Sequence, residues 1–284
     1  MTQDTIINLQ IKAEEIRKRI VEIVYSAKGG HIGGSLSSVE MTTALYFYVM
    51  NIDPENPLKA SRDRYILSKG HSVETLYATL AEKGFITQAL LDTYGRFNSK
   101  LAGHPTRKIP GIELNSGALG HGLSVGVGMC IGAKMSRESF KTYVLMGDGE
   151  QGEGSIYEAA MSASHYKLDN LVAIIDRNTL QISGKTETVM SLEPIRGRWE
   201  AFGWEVFDVN GNSLEDILKI FTAFDYSNGK PKLIISHTVK GNGVSYMENG
   251  VKWHHGIPNE EQYNTAMAEI EERIKTLKAK KPNE

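Results

Sequence analysis

The residues best placed to do chemistry lie in Gly147-Asp148-Gly149-Glu150-Gln151-Gly152-Glu153-Gly154, taken together with Asp176-Arg177-Asn178. Asp148 and Asn178 carry the hard oxygen donors that Mg2+ or Ca2+ prefers. The glycines at 147, 149 and 152 spell G-x-G-x-x-G, a dinucleotide fingerprint that says little when it stands alone. Asp148, Glu150 and Glu153 crowd the same loop, and three carboxylates repel a pyrophosphate unless a cation comes between. The loop therefore reads as a clamp for a cation and a diphosphate. The two oxygens, a backbone carbonyl and the diphosphate would make up the coordination shell.

Histidines form the second set. His31, His71, His104 and the pair His254-His255 each adjoin a glycine in loops far apart in sequence. One such histidine is an ordinary turn residue. Four such loops among eight histidines point to convergence on one site, where imidazole can hydrogen-bond a polyhydroxylated substrate or move protons. A zinc site is the competing use, but the short paired His/Cys spacings of common zinc sites are missing.

These residues need elements to hold them. Lys141 to Met146 reads as a strand, Ser155 to Tyr166 as a helix with Ile156, Ala159, Ala160 and Ala163 on one face, and Leu171 to Ile175 as a second strand ending on Asp176. Asp148 and Asn178, separated by roughly one βα crossover, then sit at the carboxyl ends of neighbouring strands, where phosphorylated ligands bind in such sheets. Elsewhere the pattern predicts helices over 6–24, 73–82, 193–201 and 213–224, and strands over 62–67, 204–209 and 233–236. Ser37 with Glu40 reads as a capping box for a helix carrying Met41, Leu45 and Val49. The stretch 94–116 is too long for a routine connection and, with Gly103-His104-Pro105, reads as an active-site loop. A helix over 119–135 is rich in glycine, which wants a packing reason: close approach of a neighbouring helix or of another protein chain. Asn259 and Gln262 open a charged terminal helix over 258–284 whose Lys-rich tail is expected to fray. Alternating strands and helices predict an α/β fold, a parallel sheet covered by helices on both faces, in a single domain spanning 1–284.

The chain has 284 residues and 40% apolar residues, enough for the core of one large α/β domain. A formal charge of −2 gives no electrostatic case for nucleic acid or an anionic membrane. The single cysteine, Cys130, forms no internal disulfide. The polar N-terminus lacks the features of a signal peptide, and no apolar run has membrane-spanning length. A cytoplasmic protein is expected.

The stretch from Gly147 to Gly184 resembles the thiamine-diphosphate signature, which begins GDG and ends in an Asn-containing turn. The wider set of loops resembles transketolase: the histidine loops at His31, His71 and His104, the turn Gly117-Ala118-Leu119-Gly120, the Asp148 loop and the late motif at His255 follow one another in the family's order. The resemblance implies the thiamine-diphosphate-binding fold. It implies that Asp148, Asn178 and the carbonyl of Leu180 bind the divalent cation, Mg2+ or Ca2+, and that Gly149 touches the diphosphate. It further implies that Gly117, Leu119 and Ile182 lie against the cofactor, that His71 and Lys240 approach it, and that His31, His71, His104 and His255 line the substrate channel and assist proton transfers. Glu153 is also implied to bind the cofactor, and Glu153 and Glu158 match carboxylates that the family places at the subunit interface.

Ile32 stands where the family usually has proline, His121 where glutamine is common and Asn115 where threonine is common; none of these is an implied metal ligand or channel histidine. In the family a further domain supplies the glutamate that activates the cofactor. This sequence holds no such domain and so resembles the N-terminal subunit of a split transketolase. Such a subunit would transfer a two-carbon ketol unit from a ketose to an aldose, in carbohydrate metabolism of the pentose phosphate kind. It would be active only with a separately encoded C-terminal partner, as a heterotetramer. Another thiamine-diphosphate reaction (1-deoxyxylulose-phosphate synthesis, a 2-oxoacid dehydrogenase component) and a non-catalytic subunit of the same fold are the alternatives.

Overall fold

The structure is a computed structural model that describes residues 2–281. The chain runs through α1 (Gln3–Ala27), α2 (Ile32–Leu36), α3 (Val39–Ala44), β1 (Arg64–Leu67), α4 (Val73–Lys83), α5 (Gln88–Leu91), α6 (Gly122–Met135), β2 (Thr142–Gly147), α7 (Gly154–His165) and β3 (Leu171–Arg177). A small antiparallel pair follows, β4 (Leu180–Gln181) and β5 (Gly184–Lys185), then α8 (Thr186–Val189), α9 (Ile195–Ala201), β6 (Glu205–Asn210), α10 (Leu214–Ala223), β7 (Lys232–His237) and α11 (Glu260–Ala279).

Five strands form one parallel sheet in the order β1-β2-β3-β7-β6. Successive strand residues point to opposite faces, so the continuous apolar runs of β2 and β3 feed two cores. Tyr143, Leu145, Val172, Ile174 and Ile234 pack with α1, α3, α4, α10 and α11 on one side. Val144, Met146, Ala173, Ile175, Leu233 and Ile235 pack with α6, α7 and α9 on the other. β3, central in the sheet, is buried along its whole length. This is the α/β architecture that the alternation of elements predicts, with helices on both faces.

Asn259 caps α11 through a reciprocal capping box with Gln262, and Ser213 caps α10 by accepting from the Asp216 amide at 3.2 Å. The tail expected to fray falls partly at 282–284, outside the described residues. Among the described residues no helix is long and apolar enough to cross a membrane.

Two local expectations differ from the structure. Ser37 caps no helix. Its hydroxyl donates to the buried Asp176 carboxylate at 2.7 Å and to the Gly34 carbonyl at 3.0 Å, while Glu40 pairs with Arg17. The expected helix carrying Met41, Leu45 and Val49 is present: α3 continues without a break into a wider helical turn over Leu45–Val49. Helix α6 begins at Gly122, because Gly117 and Gly120 take φ of +159° and +85° and form a turn. Its glycines have an intrachain reason at two positions: a Cβ at Gly122 would meet Ser68 Oγ at 2.4 Å, and one at Gly126 would meet Val144 at 2.7 Å. Gly128 and Gly132 face open space.

Candidate functional site

Gly147 at the end of β2 pairs with Asp176 of β3, so Asp148 and Asn178 emerge side by side at the carboxyl edge of the sheet. Asp148 is 2% exposed. Its carboxylate accepts from the amides of Gly149 (2.7 Å) and Thr179 (2.6 Å) and, more distantly, from the Arg177 guanidinium (3.3 Å). Burial, and then the neighbouring Asp176, still push it up to about 6: the protein supplies less positive charge than this carboxylate needs. Asn178 donates its amide NH2 to Asp176 at 2.9 Å, which turns its Oδ1 the other way, where it accepts from the Leu180 amide at 3.1 Å.

Asp176 is the strut beneath. It is buried and accepts from Lys69 Nζ (2.6 Å), Ser37 Oγ, Asn178 Nδ2 and Thr238 Oγ1. Burial alone would raise its carboxyl, but the Lys69 ammonium and these donors hold it below the ordinary carboxylate range.

Asp148, Asn178 and Leu180 line one cavity of 310 Å³, together with Gly117, Leu119, Gly149, Ile182, Lys240, His31, His71 and His254, at the lower end of the size range of small-ligand pockets. Lys240 is 2% exposed, so it is not a solvated lysine. Its Nζ donates to the Leu180 carbonyl at 3.3 Å and lies 3.2 Å from His254 Nδ1. Burial, followed by repulsion from Lys69, lowers it to about 8. Buried charges are ordinarily paired, yet among the described residues Lys240 forms no ion pair. One wall of the cavity thus presents hard oxygens short of positive charge, and another an ammonium short of negative charge. Asp148, Asn178 and the Leu180 carbonyl could hold a divalent cation and Lys240 a diphosphate, which would meet both needs. Gly149 lets the loop come close: a Cβ there would stand 2.9 Å from Gln181 Oε1. Among the described residues no three His, Cys, Asp or Glu side chains are grouped to share an ion.

The histidine loops meet over this cavity. The His31 ring lies 5.2 Å from His71, 6.3 Å from His104, 5.7 Å from His254 and 4.7 Å from His255, centroid to centroid. His254 stacks on His71 at 5.2 Å and lines the cavity, whereas His255 is exposed at its rim. Burial lowers His31 to about 4, helped by His255 and His104. It lowers His71 to about 2, helped by Lys69 and His254, and His254 to about 3, helped by Lys240. At neutral pH these three rings are uncharged, so each offers one donor and one acceptor to hydroxyl groups.

Several organising residues carry no sequence signal of their role. Glu74 is fully buried and accepts from the His31 amide (2.9 Å), Ser35 Oγ (2.7 Å) and Tyr94 Oη (2.8 Å), tying α4 to the His31 turn, α2 and the Tyr94 segment. We predict that Glu74→Ala strands those buried donors and lowers unfolding free energy by about 3 kcal/mol; a denaturant midpoint equal to wild type would contradict this. Glu150, grouped by sequence with the repelling carboxylates, also lines the cavity, but its carboxylate is taken up by the loop itself. It accepts from the amides of Gly120 (2.8 Å) and Gly147 (2.9 Å) and from Ser68 Oγ, and so braces the loop. Glu153 and Glu158 are exposed, and Glu153 lies outside the cavity lining.

Parallel-sheet loops that offer a diphosphate cradle of this form define a thiamine-diphosphate-binding domain. The chain belongs to the transketolase family of transferases: the family described as "Transketolase, thiamine diphosphate binding domain" matches residues 9–273. It is similar to the A subunit of the apulose-4-phosphate transketolase of Phocaeicola vulgatus, with 62% identity over 95% of this chain and 96% of that one. The protein of the same name from Actinobacillus succinogenes is 46% identical over 93% of this chain and 96% of its own length. Among solved structures it superimposes on the transketolase of Campylobacter jejuni with a TM-score of 0.84 and 28% identity, covering 98% of this chain and 48% of that one. The chain therefore spans about half the length of the solved transketolases it matches.

Proposed function

We propose that this chain is the diphosphate-binding subunit of a two-chain transketolase, a single cytoplasmic domain that acts with a separately encoded partner. The observation that carries the reading is the pairing, within one cavity, of an under-neutralised oxygen set with the unpaired ammonium of Lys240. When bound, the cofactor supplies an electron sink for cleaving a carbon–carbon bond next to a carbonyl.

Asp148, Asn178 and the Leu180 carbonyl hold Mg2+ or Ca2+. Gly149 and Lys240 hold the diphosphate, and Gly117, Leu119 and Ile182 face the rest of the cofactor. Ile182 is 69% exposed at the cavity mouth and Met190, eight residues on, is 66% exposed. These uncovered apolar groups suit a partner chain closing the site. The neutral imidazoles of His31, His71 and His254, with His104 and His255 at the rim, bind the hydroxyl groups of a sugar. One of them would take the donor's hydroxyl proton as the carbon–carbon bond breaks and give it back to the acceptor's carbonyl oxygen as the new bond forms.

The word "subunit" in both relatives' names supports a separate partner, and self-association of the pair gives a heterotetramer. The 62% identical relative makes apulose 4-phosphate the first ketose phosphate to test, with aldose phosphates as acceptors. Cation removal is the first check. Gel filtration of the pair in a chelator should strip thiamine diphosphate, and either Mg2+ or Ca2+ should restore stoichiometric retention. Retention that is indifferent to the chelator would refute the cation clamp.

A further inference from the structure

Lys240 sits in the turn Thr238-Val239-Lys240-Gly241-Asn242-Gly243, and its position depends on groups on the far side of that turn from the cavity. Arg17 of α1 is 1% exposed and donates from Nε to the Asn242 carbonyl at 3.0 Å. Its other arms hold Glu14 (2.6 Å) and Glu40 of α3. Glu40, 7% exposed, accepts from Asn242 Nδ2 at 3.2 Å and from Asn212 Nδ2 at 3.5 Å. Asn212 in turn accepts the Val239 amide on its Oδ1 at 2.8 Å. The backbone on either side of Lys240 is therefore pinned by two asparagines that share one buried Arg–Glu pair. Glycines make the fit close: Gly243, at φ +82°, would place a Cβ 2.5 Å from Arg17 Nε, and Gly241, at φ +79°, one 2.6 Å from the Met247 carbonyl.

A lysine side chain has several rotatable bonds, and holding its ammonium beside a diphosphate loses that freedom. Fixing the backbone on both sides adds no backbone freedom to that loss, because the base of the side chain is already in place before the ligand arrives. Neither asparagine lines the cavity, so any effect of theirs on ligand binding passes through the turn. Both are half-buried, and truncating them leaves the Arg17–Glu40 and Arg17–Glu14 pairs in place.

We propose that Asn212 and Asn242 are positioning residues that couple the buried Arg17–Glu40 pair to Lys240 and set the affinity of this chain for the diphosphate of its cofactor. This rests on the reading of Lys240 as a diphosphate ligand.

The test is a double-mutant cycle on the reconstituted two-chain enzyme. Thiamine diphosphate binding is measured by calorimetry at saturating Mg2+, alongside kcat at saturating cofactor. Asn212→Ala and Asn242→Ala are each expected to weaken binding about five- to twentyfold, at the scale of one or two hydrogen bonds, with kcat within twofold of wild type and little change in melting temperature. In a Lys240→Met background the same changes should weaken binding by less than twofold, because the group they position is gone. Asn212→Asp keeps the acceptor for the Val239 amide but sets a charge beside Glu40, and is expected to weaken binding at least as much as alanine.

Unchanged affinity in both alanine variants would overturn the proposal, as would weakening of equal size in the Lys240→Met background. If Lys240→Met itself leaves binding unchanged, the reading of Lys240 fails and the proposal with it; if only the asparagine variants fail to act, that reading stands.

Discussion

Replacing Asp148 by asparagine is expected to abolish cation-dependent retention of thiamine diphosphate and to lower ketol transfer by the two-chain enzyme by on the order of a thousandfold. The substitution keeps size and shape, but the Gly149 and Thr179 amides are held by different carboxylate oxygens, so the asparagine oxygen accepts from only one of them. What it removes is the one carboxylate in the oxygen set. Asp148 stands at about 6 because burial leaves it short of neutralising charge, a shortfall that the proposed divalent ion would make up. Without it the ion would rest on an amide and a carbonyl, both neutral, while facing Lys240 and Arg177. Losing one partner of a buried charge pair costs roughly 3–5 kcal/mol, which converts to about two to four powers of ten. Equilibrium dialysis with Mg2+ and cofactor reads the effect. Retention within threefold of wild type would show that the cation is held elsewhere.

The second large effect is expected at Lys240. Lys240→Met preserves the length and burial of the stem but removes the ammonium that donates to the Leu180 carbonyl and that is proposed to hold the diphosphate. Thiamine diphosphate affinity should fall about a hundredfold, the scale of a buried charge-assisted contact, while Mg2+ affinity measured without cofactor should hold or improve because a neighbouring positive charge is gone. His254 provides an internal control. Its ring is lowered to about 3, first by burial and then by Lys240, so its titration by NMR should move upward in the variant. A variant that binds the cofactor as wild type does would leave the ammonium without a ligand role.

How far the sequence could be read follows from what each signal encodes. The continuous apolar runs of β2 and β3 pointed to a doubly covered parallel sheet, because strands buried on both faces look that way. The Asp148 loop and the Asn178 turn could be placed on neighbouring strand ends, because one βα crossover separates them. Four glycine-flanked histidine loops pointed to one site, and the rings do converge within 6.3 Å of His31. The pattern could not say which of His254 and His255 faces inward. That depends on the single turn at Val251–His254, which places the His254 ring beside Lys240 and leaves the next ring at the rim.

The struts were harder to see. Glu74, Asp176 and Glu150 are buried carboxylates that each have partners on segments distant in sequence, and the sequence pattern does not reveal those partners. Ser37 shows the same limit from the other side: its capping signature is sound chemistry, but a buried carboxylate on another strand claims the hydroxyl. Tertiary partners override local propensity wherever a polar group must be satisfied in the core.

The most direct test of the central claim is to express this chain and its partner separately and together, and to measure ketol transfer from apulose 4-phosphate and a panel of other ketose phosphates with thiamine diphosphate and Mg2+. The expected result is turnover by the reconstituted pair that needs both cofactor and cation, and none by this chain alone. Equal turnover by the single purified chain, or a pair that binds no thiamine diphosphate, would contradict the two-chain reading.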